Sequence, residues 1–293
     1  MANFIISAME DSALALGHCT IGLVLLDLGY SFGDRPIVSN KTLKYLVQNS
    51  NKILFVHYSC QSFTDKNQEL SPRITSIAAL FNNGRILKSF SIHYTAEILH
   101  IDRDDIEKNY NAIENVMLSD FFKFAESQYD YIWLHWNMVN INYGFEALEH
   151  RYKVLTGNDA YKISEESKYN LSKLILNKYG KDCVDDPKMY NLMDLNGGVH
   201  RDFLSGADEV RAFENKDYLK MHKSTMCKVY WFPYIFNLLI KNKVKTNKYN
   251  LNLILDRIFE KPLIKIFSLI AMMVTIITGV VVFCDFLVKR ISK

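Results

Sequence analysis

The residues best suited to chemistry sit at the ends of apolar runs. His57, Tyr58, Ser59 and Cys60 close the run ILFVHYS (53–59). The carboxyl end of a strand in an α/β sheet is where ligands bind, so His57 and Ser59 are candidate ligand-binding residues. The competing reading is a core strand whose His and Tyr are satisfied by hydrogen bonds. Trp133, His135, Trp136 and Asn137 end the run YIWLHW (131–136) in the same way. Strand alternation sends Trp133 and His135 to one face and Trp136 to the other. Aromatic faces beside an imidazole and an amide can stack on a base and hydrogen-bond it, so these four are candidates for a nucleotide pocket. The alternative is a set of core aromatics with satisfied polar tips.

Other constellations carry less. Glu146 and His150 are one helical turn apart, with Glu149 and Arg151 beside them. That spacing can hold a metal, but no H-E-x-x-H occurs and a solvated helix face explains it as well. His222, Lys223, Ser224 and Thr225 resemble a phosphate-contacting cluster, yet no glycine-rich loop precedes them and the chain has no Walker or dinucleotide fingerprint. An ordinary helix surface is the plainer reading. The cysteines (Cys19, Cys60, Cys183, Cys227, Cys284) are odd in number and form no C-x-x-C. A disulfide scaffold and a zinc module are therefore not expected, and a reducing compartment is. Cys183 and Cys227 have no neighbouring His to activate a thiol. With 35 basic against 32 acidic residues and a net charge of +3, bulk charge does not mark a nucleic-acid binder.

The elements that must position these residues are legible from residue 52 onward. The chain of 293 residues, 49% hydrophobic and 23% charged, has the composition of a globular protein with room for one large domain or two small ones. Residues 53–59 form an apolar, β-rich run with the signature of a central strand. ITSIAALF (74–81) and ILKSFSIHY (86–94) flank Asn82-Asn83-Gly84-Arg85, which predicts a hairpin. Ile106, Tyr110, Ile113 and Met117 have helical spacing, and Ser119-Asp120 can cap a further helix through Gln128. After the strand at 131–136, Phe145, Leu148, Tyr152 and Leu155 share one helix face, as do Leu171, Leu174, Ile175 and Tyr179. Asp186-Pro187 opens the next helix and Asn196-Gly197-Gly198 closes it. Residues 217–240 are mostly helical with Pro233 as a kink. The fold class expected is α/β, a mixed sheet with an antiparallel hairpin and flanking helices.

This order resembles the ribonuclease-H-like fold of the four-carboxylate 3′–5′ exonucleases, over roughly residues 52–215. In that family the first strand carries D-x-E and is followed by a hairpin. YIWLHWNMVNINYGF (131–145) is similar to the family's His-Asn…Phe-Asp motif through His135, Asn137 and Phe145. YNLSKLILNKYG (169–180) is similar to its Asn-Leu helix, and GGVHRDFLSGADEVRAF (197–213) to its last motif through His200 and Asp208, which lie farther apart than in the family. The first strand departs from the pattern: His57 and Ser59 stand where the resemblance places two metal-binding acids. Two-metal phosphoryl chemistry needs carboxylates to hold its cations. The resemblance thus implies the fold and a nucleic-acid or nucleotide cleft, with no catalytic residue, cofactor or metal ligand assigned. An active nuclease would have to recruit acids from elsewhere, such as Asp65, Glu69, Asp202 and Asp208, with magnesium or manganese.

Location is read from the C-terminus. Residues 266–284 (IFSLIAMMVTIITGVVVFC) carry no charge, and as a helix they extend about 28 Å, near the hydrocarbon thickness of a bilayer. Lysines and arginines between Lys241 and Lys265 outnumber Lys289, Arg290 and Lys293, which predicts a cytoplasmic domain with the tail across the membrane. The expected organisation is an N-terminal segment (1–50), an exonuclease-like domain with a helical extension (51–240), a basic juxtamembrane segment (241–265), a span (266–288) and a tail (289–293). In it, LNLILDRIFE (251–260) is either an interfacial helix or a core helix. Asparagine and lysine usage suggests a bacterial source. The expected function is a single-pass, membrane-anchored protein whose degenerate exonuclease-like domain binds or senses a nucleic acid, a nucleotide or a protein partner. The alternatives are an active divergent nuclease and a membrane-associated scaffold.

Overall fold

The computed structural model describes residues 37–61, 71–84, 86–139, 143–247 and 262–291. The chain divides into two compact units, Met1–Tyr45 and Leu46–Lys293. Helix α1 (Ile37–Gln48) leads into the second unit, to which the account below is confined. Asp65, Glu69 and the segment 251–260 lie outside the described residues.

Five strands form one mixed sheet in the order β3-β2-β1-β4-β5. Strand β1 (Ile53–Cys60) is its centre, and all eight of its residues are buried. An apolar run with no polar face can only be covered on both sides, which is why it takes the middle position. It pairs antiparallel with β2 (Ile74–Phe81), Leu54 opposite Phe81, and parallel with β4 (Ile132–His135), Val56 opposite His135. Strand β3 (Leu87–Ser91) completes the hairpin against β2, and β5 (Lys168–Asn170) adds parallel to β4 with Asn170 opposite His135. Gly84 supplies the positive φ (+68°) that the β2–β3 turn needs.

Each face of the sheet is closed by helices. Leu54, Val56, Tyr58 and Trp133 join one apolar cluster with Ile113, Met117 and Phe121 of α3 (Tyr110–Ser127) and with Phe145 and Leu148 of α4 (Phe145–Thr156). The side chains between them on β1 face the other way. Phe55 meets Phe236, and His57 meets Phe232, each at 5.8 Å between ring centroids; both partners belong to the long helix α8 (Tyr218–Ile240). The remaining helices of this part are α2 (Ile92–Ile98), α5 (Leu171–Tyr179), α6 (Lys188–Leu195) and α7 (Gly206–Glu214).

The structure differs from the sequence reading at four points. The strand expected over 86–94 ends at Ser91, because Ile92, Thr95 and Ala96 are spaced to bury one face of α2. Ser119-Asp120 begins no new helix: the buried stripe of α3 continues through Phe121, Phe122 and Ala125, and Ser119 Oγ bonds back to Asn115 Oδ1 at 3.3 Å. Strand β5 is too short for any periodicity to announce it, and is made by pairing with β4. The fourth correction concerns the membrane. The C-terminal helix α9 (Pro262–Ile291) forms, but no helix among the described residues is long and apolar enough to cross a membrane. A span needs about 20 consecutive predominantly apolar residues. Here the uncharged stretch is interrupted by Ser268, Thr275, Thr278 and Gly279, and the helix also contains Lys265, Asp285, Lys289 and Arg290. The expected transmembrane segment, the single-pass topology and the membrane location rested on that span and fall with it.

A candidate cleft at the carboxyl end of β1

Helix α7 and helix α8 bring a carboxylate and an ammonium to the end of the central strand. A capping box opens α7: Asp208 N donates to Ser205 Oγ, and Ser205 N donates to Asp208 Oδ2. That geometry fixes the first helical turn and the position of Glu209 within it. Glu209 Oε1 accepts from Lys228 Nζ at 2.6 Å, from Ser59 Oγ at 3.0 Å and from Ser224 Oγ at 3.2 Å. Ser59 Oγ is also 2.7 Å from Thr225 Oγ1. The Lys228 and Glu209 side chains are only 6% and 17% exposed, so this pair is held in a low-dielectric setting. Lys228 Nζ also lies 4.9 Å from the centroid of the Phe203 ring, a cation–π contact.

His57 forms the floor beside them. The Tyr143 hydroxyl donates to the Tyr58 carbonyl at 2.9 Å, and its oxygen is 3.2 Å from His57 Nδ1. A phenol has one proton to give, so His57 must be the donor in the second contact. Burial, then the Lys228 charge, then His135 hold His57 well below its ordinary range, so it is a neutral imidazole at physiological pH. Burial likewise pushes the Tyr143 phenol and the Cys60 thiol up, which leaves neither poised as a nucleophile. Above this floor is a pocket of about 280 Å³. Its lining includes His57, Tyr143, Tyr190, Phe203, Glu209 and Lys228.

The structure brings His57 to this pocket, sets Ser59 behind its wall against Glu209, and leaves Trp133, His135, Trp136 and Asn137 outside its lining. Trp133 is 1% exposed, its ring covered by Phe121, Phe124 and Phe145. Trp136 is 5% exposed, stacked on Phe232 and tilted against Trp231. Neither indole presents a free face for a base. His135 is buried, accepts at Nδ1 from Met138 N at 3.1 Å, and is lowered to about 4 by burial and then by Lys168. Asn137 has φ +53° and is clasped by Asn170, which accepts from Asn137 N at 3.2 Å and donates to Asn137 Oδ1 at 3.0 Å.

The remaining candidates are dispersed. Asp208 is occupied by the capping box and by Arg211, and Asp202 stands near His200 and Arg201 at 3.7 and 3.9 Å. Among the described residues no group of three or more His, Cys, Asp or Glu is placed to hold a metal ion. Glu146 and His150 are exposed on α4. His222, Ser224 and Thr225 are buried: His222 Nδ1 is 2.7 Å from Ser76 Oγ of β2, Thr225 Oγ1 is 2.7 Å from Ser59 Oγ of β1, and Ser224 Oγ accepts from Leu204 N at 3.1 Å. That corrects the reading of this cluster as helix surface.

Sequence reasoning missed Glu209, Lys228 and Tyr143. Two signals were present: an acid directly after the S-x-x-D cap at 205–208, and a lone lysine inside the otherwise apolar CKVYWF (227–232). Against protein-family models, curated proteins and solved structures, the chain has no match.

Proposed function

We propose that this domain is a ribonuclease-H-like module that binds a nucleic acid or nucleotide at the carboxyl end of β1 without hydrolysing it. The resemblance stated from sequence rests on the order strand, hairpin, helix, strand, helices. A three-stranded antiparallel run followed by two strands parallel to the first supports that order. The observation that carries the reading is the Lys228–Glu209 contact at 2.6 Å on the pocket wall, reached by Ser59 of β1. At the strand end where the exonucleases would hold cations with carboxylates, this chain sets its own ammonium on its own carboxylate. An ammonium attracts phosphate as a point charge, but it cannot generate hydroxide or bridge attacking and leaving oxygens as paired metals do. Tyr190 and Phe203, 5.8 Å apart at the centroids, add aromatic surface for a base.

The test pairs binding with turnover. Labelled single-stranded DNA and RNA, and the nucleoside monophosphates AMP and UMP, are titrated by fluorescence anisotropy and calorimetry. The same oligonucleotides, with duplex controls, are incubated with magnesium and with manganese. Binding without products is the expected result. Turnover that Glu209→Gln abolishes overturns the reading in favour of the divergent nuclease, and absence of any binding overturns it in favour of a scaffold.

A further inference from the structure

A second and larger cavity lies beyond this pocket, between the loop after α6 and the outer side of α8. Its volume is about 800 Å³, within the range of small-molecule sites. One wall is backbone. Gly197 and Gly198 take φ +121° and +90°, and a Cβ on Gly197 would stand 3.5 Å from the Tyr234 ring. The loop therefore rests directly on an aromatic side chain and leaves the space in front of it open. The opposite wall is α8, where Tyr230 and Tyr234 are one turn apart and 53% and 46% exposed. Trp231 also lines the cavity, and its buried indole N–H has no hydrogen-bond partner among the described residues. Buried donors are normally satisfied, so this one calls for an acceptor. The rim carries Arg201, Lys223 and His200 against a single acid, Asp202.

We infer that this cavity is a binding site for a planar aromatic molecule bearing a negatively charged group, of the size of a nucleoside monophosphate. The tyrosines offer ring faces for stacking, and Arg201 and Lys223 offer charge for the anionic group. Stacking alone would suit any flat ring; the cationic rim selects those that carry a negative charge. This site is separate from the β1 cleft, and the inference does not depend on that cleft binding anything.

The experiment titrates the full chain with AMP and with 8-anilinonaphthalene-1-sulfonate, using adenosine and inorganic phosphate as the half-ligands. Either aromatic anion is expected to bind at least tenfold more tightly than the half-ligands. Tyr230→Ala, and separately the pair Arg201→Glu with Lys223→Glu, should each weaken it at least tenfold. All three positions are on the surface, and circular dichroism checks that the variants remain folded. All titrations are made in a Tyr190→Ala background, so that the stacking surface of the β1 cleft does not contribute. No binding of either probe overturns the inference. So does binding in that background that survives Tyr230→Ala and the charge reversals.

Discussion

Glu114 of α3 and Arg151 of α4 form a buried two-point ion pair, Nε to Oε1 at 3.0 Å and Nη2 to Oε2 at 2.5 Å. Their side chains are 0% and 7% exposed. Glu114 Oε1 also accepts from Ile74 N at 2.6 Å, and Arg151 Nη2 donates to Asn111 Oδ1 at 3.0 Å. One carboxylate thus ties two helices to the first residue of β2. Burial pushes the Glu114 carboxyl up, while Arg151 pulls it down.

Removing one partner strands the other. Glu114→Ala should cost about 3–5 kcal/mol, because it leaves a guanidinium buried and a strand N–H without an acceptor. Urea denaturation of wild type and variant measures this directly. A loss below about 1 kcal/mol would show that water reaches Arg151.

Acid should destabilise the fold through its buried imidazoles. Burial lowers both His135 and His222 to about 4. In the unfolded chain each titrates near 6.5, so below that pH the unfolded state binds more protons. The stabilisation is complete above about pH 6.5 and is lost as pH falls towards 4, on the order of 3 kcal/mol for each group. The raised Glu114 carboxyl works with the opposite sign over its own titration. Denaturation at several pH values, with His222→Gln for comparison, tests this: the variant's stability should vary less steeply between pH 6.5 and 4. An unchanged slope would contradict it.

Ligand binding at the β1 cleft should depend on its aromatic lip. Tyr190→Ala is expected to weaken single-stranded oligonucleotide binding by about 1–3 kcal/mol if a base stacks there. Tyr190 is 42% exposed, so its loss should barely move the melting temperature. Unaltered affinity in a binding-competent protein would remove stacking from the proposal.

Asn170 holds two elements at once. Its side chain accepts from Lys173 N at the start of α5 and clasps Asn137 after β4. Asn170→Ala should destabilise by about 1–2 kcal/mol, at the upper end for a lost cap. Asn170→Asp keeps the cap acceptor but loses the donor to Asn137, so it should recover only part of that stability. Full recovery would show that the clasp contributes nothing.

The hydrophobic pattern made much of this fold legible. Strands β1, β2 and β4 announce themselves because burial on both faces demands unbroken apolar runs, and the Asn83-Gly84 turn names its own conformation. The place of His57 and Ser59 at the end of a central strand was readable from the sequence. The rest of the cleft was not readable: the helix cap before Glu209 and the apolar run around Lys228 are local signals, and they do not say that two helices far along the chain meet at the end of β1. Trp133 and Trp136 misled for the opposite reason: composition shows an aromatic cluster, but only packing shows that Phe121, Phe145 and Phe232 already occupy the ring faces. At the C-terminus, the uncharged run was read as a span from its length and lack of charge, while no helix among the described residues is long and apolar enough to cross a membrane.

The contact between Ser59 and Glu209 closes 150 positions of chain, whereas the pairing of β1 with β2 and of β2 with β3 is local. Loop closure is costly before the contacts that reward it exist, so the hairpin can form early and α7 and α8 must dock late. The cleft is accordingly assembled at the final stage of folding. A nascent or truncated chain that stops before residue 228 holds all five strands yet lacks the lysine that lines the pocket.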